Sequence, residues 1–411
     1  MPDPASTAPR TEAPAPPRSR YAGRGAVLGA MFLMATSAIG PGFITQTTAF
    51  TVQLGAAFAF AIVASILVDV AVQLNVWRVI GVSGERAHIL ANKVVPGSGY
   101  VLAALVVSGG MVFNIGNISG TGLGTDAMLG LDVKIGATVS AAIAIAIFLV
   151  KRAGAAVDRL VVFLGFVMIV LTGWVALTSG PPVGEALRNI VVPEEVDFLV
   201  ITTLIGGTVG GYITYAGAHR LLDSGLTGTR HAAGIAKSSV IGILVTGVMR
   251  VLLFLAVLGV VAGGAVLDEA NPTASAFSQA AGEVGLRAFG VILWAASITS
   301  VIGASFTSVS FLTTKDTPER RRNLLTVAFI AIGLALFLVL DKAPVTLLIF
   351  AGAFNGLILP IGFTVILLVA WRRRDLLHGY RYPRWLLVIG VVAWLLTLYL
   401  GWQSLGGLAK L

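Results

Sequence analysis

The chain has 411 residues, of which 56% are hydrophobic and only 11% are charged, and its mean hydropathy is +0.92. Soluble proteins have about 25% charged residues, so this chain has too few charges to cover a water-exposed surface. The composition therefore predicts an integral membrane protein. The chain has no cysteine, which excludes disulfides and thiol ligands, and its four histidines do not share a helix at ligand spacing. We expect no resident cofactor and no metal-ligand cluster.

The net charge of +9 is spread over short basic clusters that lie between apolar runs. This distribution is typical of membrane topology signals and does not form one face for nucleic acid. We therefore expect the lipid bilayer and a small solute or ion as partners, and no nucleic acid.

Residues 1–24 are rich in Pro, Ala, Ser, Thr and Arg, which predicts a disordered cytoplasmic tail and no cleavable signal peptide. Residues 25–411 predict one transmembrane domain with eleven apolar segments, each near the roughly 20 residues that cross a bilayer. The segments lie at 26–55, 57–80, 98–125, 135–150, 157–178, 198–218, 235–263, 285–312, 323–340, 343–371 and 385–406.

The distribution of Lys and Arg predicts the orientation of these segments. With the N-terminus in the cytoplasm, 22 of the 28 basic residues fall in cytoplasmic regions, among them Arg78, Arg86 and Lys93. Five fall outside, and Arg250 lies within a segment. Because cytoplasmic loops carry the excess of Lys and Arg, we predict a cytoplasmic N-terminus and an external C-terminus.

Two segments are interrupted near their middles. The first segment contains Gly40-Pro41-Gly42, and the sixth contains Gly206-Gly207-Thr208-Val209-Gly210-Gly211. Paired broken helices in two inverted halves are typical of a secondary-transporter binding site. The alternative is close helix packing, because Gly206 and Gly210 are also small residues at a spacing of four.

Three stretches match a known pattern: Gly40-Pro41-Gly42, the third-segment sequence VFNIGNISGTGLGTDAMLG at 112–130, and Gly206-Gly207-Thr208-Val209. Together they resemble the Nramp family of divalent-metal transporters. The resemblance implies an all-α, LeuT-type membrane fold in which helices 1 and 6 are broken. It also implies inverted repeats at about 26–178 and 198–371, with an extra helix at about 385–406.

The chain departs from the family at the positions that bind metal and protons. The family's D-P-G-N motif is replaced by a stretch without a carboxylate, Thr45-Gln46-Thr47-Thr48, and its M-P-H-N motif by Gly210-Gly211-Tyr212-Ile213. The two acidic residues of its third helix are Asn114 and Asn117 here. Divalent cations require charged oxygen or soft donors, and an amide has no titratable proton near neutral pH.

Polar residues at the breaks and on facing segments are the candidate substrate site. One hypothesis is a neutral hydrogen-bonding pocket, in which helix N-termini offer N–H groups to an anionic group. The alternative is that these residues only satisfy the broken backbone or bond between helices. The candidates are Thr45, Gln46, Thr47, Thr48, Asn114, Asn117, Thr208, Gly210, Gly211, Tyr212 and Asn355.

Asp69 and Arg250 are predicted to be charges deep in the membrane, where such residues are costly and usually face the bundle interior or each other. We consider a structural ion pair, or a substrate or coupling role in which Arg250 holds a carboxylate. The eighth segment is rich in Ser and Thr, and the fold resemblance implies that Thr299 and Ser300 could hold sodium.

These observations predict a secondary transporter in the plasma (inner) membrane that works by alternating access, and not an enzyme. The missing ligands favour a small organic solute such as a carboxylate or an amino-acid-like molecule. The resemblance alone favours the alternative, a divalent metal ion.

Overall fold

The computed structural model describes residues 38–149, 153–314, 317–340 and 342–408, without the side chains of 153–162, 164 and 408. The predicted tail and residues 26–37 of the first segment lie outside the described residues. Within these ranges the regular structure is helical. The helices are α1 (Pro41–Leu54), α2 (Phe58–Ser83), α3 (Ala87–Val94), α4 (Ser98–Leu129), α5 (Val133–Leu149), α6 (Ala153–Thr178), α7 (Val183–Val191), α8 (Phe198–Thr208), α9 (Ile213–Asp223), α10 (Ala232–Ala262), α11 (Pro272–Leu312), α12 (Glu319–Leu340), α13 (Pro344–Arg372) and α14 (Arg384–Leu408).

The predicted segments match these helices except at three places. The short helices α3 and α7 were not predicted, since neither is long enough to cross a bilayer. Helix α11 begins at Pro272, thirteen residues before the predicted start, and bends at Gly282, where φ is +62°. A backbone in that region favours glycine. The bend therefore separates a short N-terminal helix from the long remainder of α11.

The prediction of eleven spans is neither confirmed nor excluded by the described helices. Eight helical stretches are long and apolar enough to cross a membrane, and a ninth is possible if α6 and α7, bent by 104°, form one span. One of the eight, Pro41–Ser83, has 43 residues and a contour of about 65 Å. That length is about twice a bilayer core, so it includes both α1 and α2.

The outer helices expose apolar side chains, whereas polar side chains lie inside the bundle. On α14 the exposed residues include Val388, Leu395 and Trp402, while Gln46 and Asn114 are fully buried. A soluble protein rarely has such broad apolar faces. Lipid-facing helices require them, because the hydrocarbon core of a bilayer does not solvate polar side chains.

Glycines allow two pairs of inner helices to pack with their backbones in contact. A methyl group on Gly206 of α8 would overlap the Gly352 carbonyl oxygen of α13, and one on Gly356 would overlap the Thr202 carbonyl oxygen. Likewise, a methyl group on Gly124 of α4 would lie 2.5 Å from the backbone nitrogen of Trp294 in α11. Gly206 therefore allows α8 to pack closely on α13, which is the alternative role considered for it in the sequence analysis.

A buried arginine joins three elements at one end of the bundle. Arg86, between α2 and α3, is 6% exposed. Its Nη1 donates hydrogen bonds to the carbonyl oxygens of Ser310 (2.7 Å) and Thr313 (3.0 Å), at the end of α11. Its Nη2 lies 3.3 Å from an Asp223 carboxylate oxygen, at the end of α9. The sequence treated Arg86 only as a topology signal.

Candidate substrate site at the two helix breaks

The first break brings α1 against α4 and α11. Helix α1 begins at Pro41, and Gly40 precedes it without a side-chain cap. A methyl group on Gly40 would lie 2.6 Å from Ser300 Oγ and 3.7 Å from Asn117 Oδ1. The first N–H groups of a helix have no intrahelical partner. The start of α1 is therefore an uncapped, partially positive end facing polar side chains.

The second break separates α8 from α9. Helix α8 ends at Thr208 and α9 begins at Ile213, so Gly206 and Gly207 remain helical although the sequence placed them in the break. Gly211 has a φ of +52°. A methyl group on it would overlap the Asn355 side-chain oxygen. Glycine is therefore required here both by the backbone conformation and by the approach of Asn355.

Gln46 joins α1 to the other break. Its Nε2 donates a 2.7 Å hydrogen bond to the Leu348 carbonyl oxygen of α13. Its Oε1 has no partner among the described residues and would lie 2.6 Å from a methyl group on Gly207. The amide nitrogen thus has a structural role, and the amide oxygen remains free beside α8.

Asn355 has the same division of roles on the opposite side. Its Nδ2 donates to the carbonyl oxygens of Gly109 (3.1 Å) and Ala351 (2.8 Å). Its Oδ1 has no partner in the described part of the chain. The free oxygens of Gln46 and Asn355 therefore flank residues 207–211, and both are acceptors only.

The two asparagines of α4 are in different surroundings. The Tyr212 side chain is hydrogen-bonded to Asn117, and its ring packs edge-on against Phe113. Asn114 has no partner for either amide atom within the described ranges and lies against Gly333 of α12. Asn117 therefore lies at the candidate site, whereas Asn114 lies to its side, although a spacing of three residues puts both on one face of a helix.

The threonines after the first break form contacts that limit their role. Thr47 Oγ1 donates to the Phe43 carbonyl oxygen of its own helix at 2.7 Å. Thr48 Oγ1 accepts a 2.8 Å hydrogen bond from Thr273 of α11. Thr45 is buried. The hydroxyl of Thr47 thus bonds to the backbone of its own helix, and Thr48 is bonded to the N-terminal part of α11.

Asp69 and Arg250 lie behind the breaks on α2 and α10. Arg250 Nη1 donates a 3.1 Å hydrogen bond to Thr208 Oγ1, and its guanidinium carbon lies 4.3 Å from the Phe43 ring centroid. The Asp69 carboxylate interacts electrostatically with Arg250 and approaches Thr208, but the two charges form no direct salt bridge. Both aspartate oxygens lack a partner among the described residues. A direct ion pair, one sequence hypothesis, is therefore absent.

The proposed sodium ligands are adjacent on α11 but differ in their contacts. Thr299 Oγ1 donates to the carbonyl oxygens of Ala295 and Ala296, each at 3.0 Å. Ser300 faces Gly40 at the first break. Further along α11, the hydroxyls of Thr307 and Ser308 have no partner within the described ranges.

Sequence reasoning missed two residues that hold α9 in place. Thr214 Oγ1 donates a 2.8 Å hydrogen bond to Gln73 Oε1 of α2, and Trp77 Nε1 donates a 3.0 Å one to the Thr214 carbonyl oxygen. Gln73 follows Asp69 by four residues, so both lie on one face of α2. The spacing of four residues between Asp69, Gln73 and Trp77 is the feature of the sequence that could have revealed their common face.

The broken helices, the buried polar residues between them and the apolar exterior define the class of secondary membrane transporters. The structure resembles the crystal structure of the Eremococcus coleocola manganese transporter in complex with an aromatic bis-isothiourea substituted compound. The TM-score is 0.76 and the identity 18%, covering 95% of this chain and 89% of that one. It also resembles MhsT in complex with L-phenylalanine, with a TM-score of 0.68 and 16% identity over 92% and 98% of the two chains.

Residues 31–405 match the family model for natural resistance-associated macrophage protein-like (Nramp) proteins. The chain belongs to the Nramp family, which confirms the resemblance and the LeuT-type fold. It is 50% identical to the uncharacterized membrane protein YcsG of Bacillus subtilis, over 92% of this chain and 94% of that protein. It is 52% identical to an uncharacterized membrane protein of Haemophilus influenzae, over 89% and 92%. The chain is therefore a multi-pass membrane protein, and its family supports transport and not catalysis.

Proposed function

We propose that this transporter moves a small organic solute that has both an anionic group and N–H donors, such as an amino-acid-like molecule or an amide-bearing carboxylate. The solute would bind between α1, α4, α8, α9, α11 and α13. The observation that carries the proposal is the pair of amide oxygens, Gln46 Oε1 and Asn355 Oδ1, that have no partner among the described residues and lie on the two sides of the second break.

A buried acceptor without a donor is costly, so a ligand that supplies N–H groups to these oxygens would remove that cost. The uncapped start of α1 at Pro41 suits an anionic group, because helix N-termini attract negative charge. Asn117 Nδ2, close to Gly40, is a further donor without a partner in the described part of the chain. Donors and acceptors are therefore available for the two ends of one small molecule.

The same inventory disfavours a divalent cation. In the described part of the chain, no three His, Cys, Asp or Glu side chains are placed to hold a metal ion. Neutral amide and hydroxyl oxygens only weakly offset the dehydration of a divalent cation. The solved neighbours include one protein named as a manganese transporter and one bound to an amino acid, so the fold is compatible with either substrate class.

The test is the thermal stability of the purified protein with added ligands, since a ligand that binds only the folded state raises stability by mass action. The ligand panel contains Mn²⁺, Mg²⁺, simple carboxylates, amino acids and cyclic amide-bearing acids. We expect a stabilising organic acid whose effect is lost in Gln46→Ala and kept in Gln53→Ala. Gln53 is a matched control on the same helix, because it is exposed and bonds Asp197.

Stabilisation by Mn²⁺ that Gln46→Ala abolishes, with none by organic acids, would overturn the proposal and favour metal transport. Flux of the stabilising solute into proteoliposomes then distinguishes transport from binding alone. A solute that binds but does not cross the membrane would contradict the transport assignment.

A further inference from the structure

Asp69 is the only fully buried carboxylate among the described residues. It lies in the middle of α2, and neither of its oxygens has a hydrogen-bond partner there. A charged group in such surroundings is expensive unless it is paired and hydrogen-bonded. The charge that interacts with it, Arg250, likewise has no partner for Nε and Nη2 within the described ranges. In a structural ion pair the carboxylate of Asp69 would accept hydrogen bonds from the guanidinium of Arg250, and these two groups form none.

We infer that Asp69 is a proton-binding site of the transport cycle, with Arg250 and Thr208 linking its charge to the break between α8 and α9. The inference rests on the proposed function, because it names the ion that drives the same transporter. The step is simple: a proton from water adds to the carboxylate and gives a neutral carboxylic acid, and its release to water restores the charge.

The connection to the break is a chain of three side chains. The carboxylate of Asp69 interacts with the guanidinium of Arg250, and Arg250 donates to Thr208 Oγ1 at 3.1 Å. Thr208 is the last residue of α8. A protonated Asp69 no longer attracts Arg250, which then remains held by Thr208 and by the Phe43 ring of α1. Both broken helices are therefore sensitive to one proton.

Few other ionisable groups compete for this role. Helices α1 and α8 contain none, and α10 contains only Lys237 and Arg250. Arg250 is the one charge that interacts with Asp69. The remaining ionisable residues of α2 and of the elements packed on it are Arg78 of α2, Glu185 and Arg188 of α7, Tyr215, His219, Arg220 and Asp223 of α9, Arg230 and His231 of the turn Thr229–His231, Arg372 of α13, and Arg384 and Tyr399 of α14.

Two opposing effects make the site switchable. Burial favours the neutral form of a carboxyl group, whereas a nearby cation favours the charged form. A conformational change that moves Arg250 relative to Asp69 therefore changes the affinity for the proton. By linkage, proton binding must shift the conformational equilibrium by the same free energy.

Infrared difference spectroscopy of the purified protein in lipid nanodiscs, titrated with acid and without any solute, tests the inference directly. We expect the carbonyl-stretch band of a protonated, water-sheltered carboxyl group to rise on acidification and to be absent in Asp69→Asn. Asp197→Asn is the matched control, since Asp197 is a surface cap of α8, and it should keep the band. A band that persists unchanged in Asp69→Asn, or no band at all, would overturn the inference.

A second variant guards against misfolding of Asp69→Asn. Arg250→Gln removes the neighbouring cation and should move the midpoint of the band to higher pH by about one pH unit or more. An unchanged midpoint would contradict the proposed pairing. Because no solute is present, failure here leaves the solute proposal standing, and failure of the solute test leaves this result standing.

The proposed link from Asp69 through Arg250 to Thr208 is tested by a separate measurement, the pH dependence of cysteine labelling. A purely structural role of Thr208 would not change this dependence. The chain has no cysteine, so Thr45→Cys in α1 provides a single thiol. Its labelling rate should depend on pH with the midpoint of the infrared band, and Thr208→Val should abolish that dependence while leaving the band in place. A pH-dependent rate that survives Thr208→Val would remove Thr208 from the mechanism.

Discussion

The guanidinium of Arg86 and the carboxylate of Asp223 form a 3.3 Å ion pair that joins the α2–α3 connection to the end of α9. The same guanidinium caps two carbonyl groups at the end of α11. The carbonyl ends of a helix attract cations. The buried side chain of Arg86 thus links the ends of α9 and α11 to the α2–α3 connection.

Arg86→Lys should therefore destabilise the protein more than Asp223→Asn. Lysine keeps the charge but cannot reach two carbonyl oxygens and a carboxylate together, and we expect a loss of about 2 kcal/mol. Asp223 is partly exposed, so its variant should cost less than about 1 kcal/mol. Thermal unfolding measures both, and labelling of a Thr313→Cys thiol should accelerate in Arg86→Lys. Equal costs for the two variants would refute the capping role.

Gly206→Ala should prevent normal packing of α8 on α13. The added methyl group would overlap the backbone of Gly352 and Gly356, which cannot move aside as a side chain can, so we expect a loss of about 1–3 kcal/mol or more. Gly173→Ala in α6 is the control, since no atom lies within 4 Å of its added methyl group. That control should be neutral or stabilising by up to about 1 kcal/mol. Unfolding temperature and monodispersity measure both, and similar behaviour of the two variants would contradict this account.

The burial of His88 should make the protein sensitive to acid. Desolvation, and secondarily the charge of Arg86, lowers the pKa of His88 from 6.5 to about 4. Between these values the unfolded chain binds a proton that the folded chain does not, so stability falls as the pH drops through this window. Because His88 is partly exposed, we expect about 1–2 kcal/mol.

His88→Phe should flatten the dependence of unfolding temperature on pH in that window, because phenylalanine can pack against Phe311 as His88 does and does not titrate. His231→Asn, at an exposed turn beside Arg230, should leave the dependence as it is. A steep dependence in His88→Phe would show that other groups cause it.

The predicted orientation can be tested in the cysteine-free chain. A cysteine at Lys134, in the first turn of α5, should react with an impermeant thiol reagent only from outside the cell. A cysteine at Lys93 in α3 should react only from the cytoplasm. Labelling of the Lys134 position from the cytoplasm would reverse the topology.

Hydropathy and family resemblance predicted the fold class, the long helices and both breaks, because lipid imposes apolar runs of a set length. They did not predict α3 and α7, since a helix of eight or nine residues leaves no such run. The bend at Gly282 was also missed. A single glycine in an apolar sequence can bend a helix, pack closely or do neither, so the residue type alone does not predict a bend.

The candidate site was predicted in its residues but not in its contacts. Helical spacing placed Asn114 and Asn117 on one face, yet their neighbours come from different helices, which spacing cannot reveal. The hydroxyl of Thr47 turns back to its own helix. Whether a threonine does this depends on what lies opposite. The roles of Arg86 and Gln73 likewise depend on partners more than 130 residues away.

The glycine contact between α8 and α13 has a mechanical consequence. Where Gly206, Gly352 and Gly356 meet, main chain lies on main chain, and the side chains that approach Gly352 and Gly356 from α8 are the short ones of Thr203 and Thr202. A threonine has few rotamers, so a small shift of α8 along α13 requires less repacking than motion across long interdigitated side chains. The two ends of α8 are tied separately, by the Asp197 cap at one and by Thr208 with Arg250 at the other. A shift of α8 must therefore act on these two ends.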